Sequence, residues 1–335
     1  MAVENTTGFQ LSPQQQRSWN LQTAGLPTCA SVMISLQGDI DAARLRAALE
    51  TVVGQFEILR TSFQRSSGVR FPFQVVHSEA TVAWGTATLG SSSAEQSAEV
   101  ARMLKAQAER VDFSATPTVQ ATLVATGRDH LLLLSLPSLC VDARGLELLV
   151  QHLAAAYGGS SRSEDVLQYA DYAAWQNELP QEEDAARAAE FWKGHNPANA
   201  PPVALPFVRK PGAAVSTSAR ELQSVPIDLD DDIKRRIEEN GLEAFLLASW
   251  QVFLWRMSGQ AEVVTCFHSE GRQYEEAKNA LGAFSRMLPL RTSFDAELGF
   301  AALLDQTRQL IAQAKDRRIT CRLPTAIVNL PCISR

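Results

Sequence analysis

Residues His130–Leu136 read His-Leu-Leu-Leu-Leu-Ser-Leu, an almost uniformly apolar run. A strand of that composition is covered on both faces, so it belongs in the centre of a sheet. Upstream, across the turn Thr126-Gly127-Arg128, stands a second strand from Thr118 to Ala125. Downstream, after Pro137 and Ser138, the apolar spacing becomes helical from Asp142 to Tyr157. A buried strand running through a short turn into a helix sets the class of the chain as α/β.

The rest of the sequence follows the same alternation. Ser12-Pro13 is a helix start, a hydroxyl N-cap followed by proline at the first helical position, and Gln14 to Gln22 continue it. Cys29–Leu36 reads as a strand. Asp39 or Asp41 caps a helix over Ala42–Gln55, where Leu45, Leu49, Val52 and Val53 share a face. Val69–Val76 reads as a strand, Ala94–Arg110 as a helix capped by Ser93, and Val166–Lys193 as one helix carrying Trp175 and Trp192. Residues 194–220 hold five prolines and little periodicity, which marks a linker. Beyond it the pattern predicts a strand (Glu221–Ile227), helices over Asp230–Glu239 and Leu242–Met257, a buried strand (Ala261–Phe267), a loop around Gly271-Arg272 and a helix over Phe300–Lys315. With 335 residues the chain has room for two lobes, 1–193 and 221–335, joined by 194–220.

Composition removes several function classes. The formal net charge is -6 with no block of Lys or Arg, which argues against nucleic-acid binding. No apolar stretch approaches the ~18–20 residues of a membrane span. The first residues lack a basic region followed by an apolar core, so a secretory signal is not expected and the expected location is cytoplasmic. Five cysteines and five histidines are dispersed, without metal-ligand spacing, so neither a disulfide framework nor a zinc site is expected.

Short motifs add a family. Ser12-Pro13-Gln14-Gln15-Gln16-Arg17-Ser18-Trp19 resembles the first core motif of nonribosomal peptide synthetase condensation domains. Glu57-Ile58-Leu59-Arg60-Thr61-Ser62-Phe63 resembles the second, and Tyr169-Ala170-Asp171-Tyr172-Ala173-Ala174-Trp175-Gln176 the fourth. Leu281-Gly282-Ala283-Phe284 with Leu288-Pro289-Leu290-Arg291 resembles the fifth, preceded by the usual Gly271-Arg272. The resemblance implies two chloramphenicol-acetyltransferase-like lobes set in a V, with a tunnel between them. It implies carrier protein domains as partners, whose phosphopantetheine arms enter as substrate tethers, and no cofactor or metal of the chain's own. After Lys315 the family continues with further strands and helices, so the C-terminal lobe reads as incomplete.

The departures bear on chemistry. The family's third motif, H-H-x-x-x-D-G, aligns here with Pro137-Ser138-Leu139-Cys140-Val141-Asp142-Ala143. Ser138 stands where the resemblance places the histidine credited with positioning or deprotonating the attacking amine. A serine hydroxyl is no base without an activating neighbour. Cys140 is either a substitute nucleophile at a strand-to-helix turn or a small packing residue. His130 reads as a strand-end polar residue, and His268 either faces the cavity or sits in a loop. The resemblance makes Asp142 structural, with Arg60 as its expected partner, and a helix N-cap role is compatible with that. Arg144 and Arg286 are tunnel-lining candidates that could block the passage or bind the phosphate of a carrier arm. Arg286 could equally be a solvated loop residue. Two main readings follow. One is a condensation-like domain without standard amide formation, acting as a platform for carrier proteins or a tailoring enzyme. The other is an acyltransferase or condensation enzyme working on carrier-bound substrates without histidine. A free-standing small-molecule acyltransferase of the same fold is a weaker third.

Overall fold

The computed structural model describes residues 8–23, 29–79, 81–90, 93–116, 118–127, 129–160, 166–179, 183–200, 203–206, 226–295, 297–321 and 332–333. The chain divides into two compact units, residues 1–182 with 270–285, and residues 183–269 with 286–335. Residues 207–225, most of the expected linker and the start of the expected strand at Glu221, lie outside the described residues.

The first unit begins with β1 (Gly8–Gln10) and α1 (Pro13–Thr23). The start of α1 is a reciprocal capping box: the Gln15 amide donates to Ser12 Oγ at 3.2 Å, and Gln15 Oε1 accepts the Ser12 amide at 3.0 Å. Next come β2 (Cys29–Leu36) and α2 (Ala42–Gln55), whose N-cap is Asp41. After a 3₁₀ turn at Glu57–Arg60 the chain forms β3 (Thr61–Gln64), β4 (Phe73–Val76), β5 (Ala83–Thr88) and α3 (Ser93–Glu109). The side chain of Ser93, the expected cap, is outside the described set. The unit continues with β6 (Gln120–Ala125), β7 (His130–Pro137), α4 (Ala143–Tyr157) and α5 (Tyr169–Glu178).

The apolar run lies where its composition requires. In the four-stranded sheet β2-β7-β6-β5, β7 is an inner strand, antiparallel to both neighbours, and β5 runs parallel to β6. Leu132, Leu134 and Leu136 point into the main core, formed with Leu45, Leu49 and Val52 of α2 and Leu148, Leu149 and Leu153 of α4. Leu133 points the other way, onto Val100 of α3 and Val124 of β6. Burying one such leucine contributes about 1.5–3 kcal/mol. A second, antiparallel sheet has the order β1-β4-β3.

The helix expected over Val166–Lys193 is two helices. α5 stops at Glu178 ahead of Pro180, and α6 (Glu183–Gly194) starts the second unit. Proline removes a helical N–H and disfavours helix at the residue before it. The second unit then carries α7 (Asp231–Asn240), capped by Asp230, and α8 (Leu242–Ser258). β8 (Glu262–Ser269), β9 (Arg286–Ser293), α9 (Phe300–Asp316) and β10 (Cys332–Ile333) complete it. The sheet order is β10-β8-β9, with β10 parallel and β9 antiparallel to β8. Between β8 and β9 the chain leaves this unit, and residues 270–285 pack as part of the first. That excursion builds the site.

Candidate functional site

The turn between β7 and α4 carries Ser138, Cys140 and Asp142. It is tight, with the Cys140 amide donating to the Pro137 carbonyl at 2.8 Å. Asp142 caps α4, its Oδ1 accepting the Gly145 amide at 2.7 Å. The same carboxylate receives a two-pronged bond from Arg272: Nη2 to Oδ1 and Nη1 to Oδ2, each 2.9 Å. The Ser285 amide donates to Oδ2 at 2.8 Å, so the carboxylate accepts four hydrogen bonds. Both side chains are almost wholly buried, at 3% and 5% exposure. Arg272 also reaches the Ala280 and Gly282 carbonyls at 3.4 Å, and its guanidinium lies 4.5 Å from the Phe284 ring centre. The ion pair therefore pins residues 270–285 onto the β7–α4 turn. Burial of two charges is tolerated here because they face each other and their remaining polar atoms are hydrogen-bonded.

Arg60, the expected partner, is elsewhere. Its guanidinium pairs with Glu57 at 3.5 Å and donates to the His77 carbonyl, tying the 3₁₀ turn to the end of β4. The reason is reach: Arg60 closes its own local turn, whereas Arg272 arrives on the segment that lies against Asp142. The Gly271-Arg272 dipeptide was visible in the sequence, but nothing local linked it to an aspartate 130 positions earlier.

Glycine and aromatic packing fix that segment. Gly271 has φ +75°, and a Cβ there would stand 1.9 Å from the Phe284 carbonyl oxygen. At Gly282 a Cβ would stand 1.9 Å from the Tyr169 ring. Tyr169 Oη donates to the Ala283 carbonyl at 2.8 Å and receives the Ser12 hydroxyl at 2.7 Å. The motif's usual glycine is Ala143, and the close approach is made instead at Gly145, where a Cβ would lie 2.6 Å from Val141 Cγ2. Gln15 Nε2 ties α1 to the same turn through the Leu139 carbonyl at 3.1 Å, and also meets Gln74 Oε1 at 2.9 Å.

The remaining candidates are dispersed. Ser138 is half-buried, and its Oγ accepts Gln22 Nε2 at 3.2 Å. Gln22, near the end of α1, had no sequence signal. Cys140 is fully buried among core side chains, and burial raises its thiol pKa well above the ordinary range, with Cys29 adding to the effect. Such a thiol supplies no thiolate near neutral pH. Arg144 pairs with Glu147 one turn along α4 at 2.7 Å, and this acid offsets a cation beside the helix N-terminus. Arg286 is buried at the start of β9, donating to the Arg318 carbonyl at 2.7 Å and the Cys321 carbonyl at 3.5 Å, which excludes a solvated loop residue. His268 is half-buried in β8 of the second unit, opposite Met287. His130 begins β7 opposite Leu36 and Ala125, as a strand-end residue should. Among the described residues no group of three or more His, Cys, Asp or Glu could hold a metal, and no helix is long and apolar enough to cross a membrane.

The family model of the condensation domain matches residues 5–320. The chain belongs to the condensation domain family. Among curated proteins, tyrocidine synthase 3 of Brevibacillus parabrevis is 28% identical over 318 residues, covering 92% of this chain and 5% of that protein. Bacitracin synthase 1 of Bacillus licheniformis is 25% identical over 332 residues, covering 94% of this chain and 6% of that protein. The condensation domain described here thus spans a small part of these relatives. Among solved structures, the complex of the X-domain and OxyB from teicoplanin biosynthesis matches with a TM-score of 0.79 at 23% identity, covering 98% of this chain and 77% of that one. The condensation domain from the monacolin K polyketide synthase MokA matches with a TM-score of 0.78 at 22% identity, covering 93% of this chain and 74% of that one. The α/β fold is that of condensation domain structures.

Proposed function

We propose that this condensation domain works on a nonribosomal peptide assembly line as a platform, without histidine-based amide formation. It receives carrier proteins, whose phosphopantetheine arms present the bound acyl or aminoacyl group, and a tailoring enzyme that acts on that group. One observation carries the reading. The scaffold around Asp142 is fully built, while the position of the motif's second histidine holds Ser138, whose hydrogen-bond partner among the described residues is a carboxamide. A hydroxyl held by an amide has no group to take its proton. The likeness to an X-domain solved with OxyB supports a recruiting role.

The test uses the immobilised chain with purified proteins from the same assembly line: a carrier protein bearing a loaded phosphopantetheine arm, and the tailoring enzyme encoded beside it. The platform reading expects saturable binding of both. Binding of neither would overturn it.

A further inference from the structure

Helix α8 is apolar on both faces. Its inner face, with Ala244, Leu247, Ala248 and Leu254, is buried in the second unit. Its outer face carries Leu242, Leu246, Phe253 and Met257, which remain 46%, 41%, 41% and 36% exposed. No other helix among the described residues has more than one exposed large hydrophobic residue. A helix that is apolar all round needs cover on both sides, and a bare apolar stripe marks a protein interface. No charge lies within the stripe. Glu243 and Arg256 flank it on opposite sides, the first bound to Lys315 at 2.7 Å and the second laid over the Trp255 ring at 4.3 Å.

The spacing of the stripe points to its cover. Its residues stand four, seven and four positions apart, so they share one helix face. That spacing reads the same from either end, about a centre between Ser249 and Trp250. A two-fold contact is one patch meeting itself. Turned about an axis through that centre, an antiparallel copy of α8 sets Leu242 against Met257 and Leu246 against Phe253, each pair occurring twice. Ser249 is the small residue at the crossing, where two helix backbones must come close. Trp250 stacks on Phe253, with ring centres 5.4 Å apart, and widens the apolar surface beside it. We propose that the outer face of α8 joins two copies of this chain, antiparallel about a two-fold axis. At about 150–250 Å² for a large apolar side chain, the four residues leave roughly 250–400 Å² bare on each copy. A pair thus covers roughly 500–800 Å² before Ser249, Trp250 and the flanking residues are added, against the ~1,000 Å² that a specific interface needs. The association is therefore weak and reversible, in the micromolar range. It is independent of the platform reading.

The test is sedimentation velocity of the full chain from low to high micromolar concentration. The mass is expected to move from one chain to two as concentration rises, and no further. Phe253→Glu places a charge at both symmetric contacts and is expected to weaken association by at least about tenfold, with the melting of the single chain unchanged. Ser249→Cys, at the axis, is expected to give a disulfide-linked pair under copper–phenanthroline oxidation. Leu242→Cys, about 20 Å from its own copy in this arrangement, is not. The parent chain treated alike accounts for the native thiols, and the cross-link decides the matter if Phe253→Glu fails to fold. A one-chain mass at every concentration overturns the proposal, whatever other protein the chain binds. So does a mass that grows without limit. A two-chain mass that survives Phe253→Glu, or that leaves Ser249→Cys without a cross-link, overturns it too, because another face then makes the pair.

Discussion

Asp142→Asn is the substitution whose cost the geometry defines best. The carboxylate accepts from Arg272 twice, from the Gly145 amide and from the Ser285 amide. An asparagine keeps one acceptor oxygen and turns an NH₂ toward donors. With Oδ1 retained, the new amide confronts Arg272 Nη1 and the Ser285 N–H, so two hydrogen bonds become donor–donor contacts. Arg272, at 3% exposure, keeps its charge without a counter-charge. Breaking such a pair costs about 3–5 kcal/mol. At roughly 2–4 °C per kcal/mol for a unit of this size, melting falls by about 6–20 °C. A double-mutant cycle measured by urea unfolding assigns the partner. Asp142→Asn with Arg272→Met should show a coupling of at least about 2 kcal/mol, whereas Asp142→Asn with Arg60→Ala should be additive within about 0.5 kcal/mol. Arg60→Ala alone loses a half-exposed ion pair and one bond to a carbonyl, about 1–2 kcal/mol. A wild-type melt for Asp142→Asn, or equal coupling to both arginines, would refute the reasoning.

Other parts of the molecule give independent tests. Gly271→Ala should cost a few kcal/mol in the same urea assay, because the left-handed backbone and the Phe284 carbonyl both oppose a Cβ. Cys140 should resist iodoacetamide at pH 7.5 in the folded chain and react once urea unfolds it, as mass spectrometry of the labelled peptides would show. His195 accepts the Arg291 amide through Nδ1 at 3.1 Å, and burial, with the Arg291 charge second, lowers its pKa. The unfolded chain then binds the extra proton more readily. The stability His195 contributes is therefore complete above about pH 6.5 and is lost as the pH falls below it, and His195→Gln should flatten that part of the profile.

The sequence was most informative where a residue's role is local. His130–Leu136 announced an inner strand because no half-exposed strand tolerates four consecutive leucines. Ser12 announced a helix start, and Asp39 or Asp41 another that the structure gives to Asp41, because a cap bonds within its own turn; Asp230, read as the first helical residue, is the cap itself. β5 escaped notice because Ala83–Thr88 holds one large apolar residue, Trp84, among small residues and a glycine, with no apolar alternation. β9 was hidden by Pro289 and by arginines at Arg286 and Arg291, which a strand at the edge of the sheet formed by the described residues accommodates. At the site, the loss of the histidine pair and the retention of Asp142 could be read directly. The partner of Asp142 and the contact between Gln22 and Ser138 could not, since each joins segments more than a hundred positions apart through folding alone.

Single turnover decides whether the platform account is right. Two purified carrier proteins, one bearing a labelled acyl or peptidyl group and the other an aminoacyl group, are mixed with stoichiometric chain, and the thioester products are followed by mass spectrometry. The account predicts no amide product above the rate without the chain, while both carriers still bind. Product formed faster than background, and abolished by Ser138→Ala in a folded variant, would contradict it.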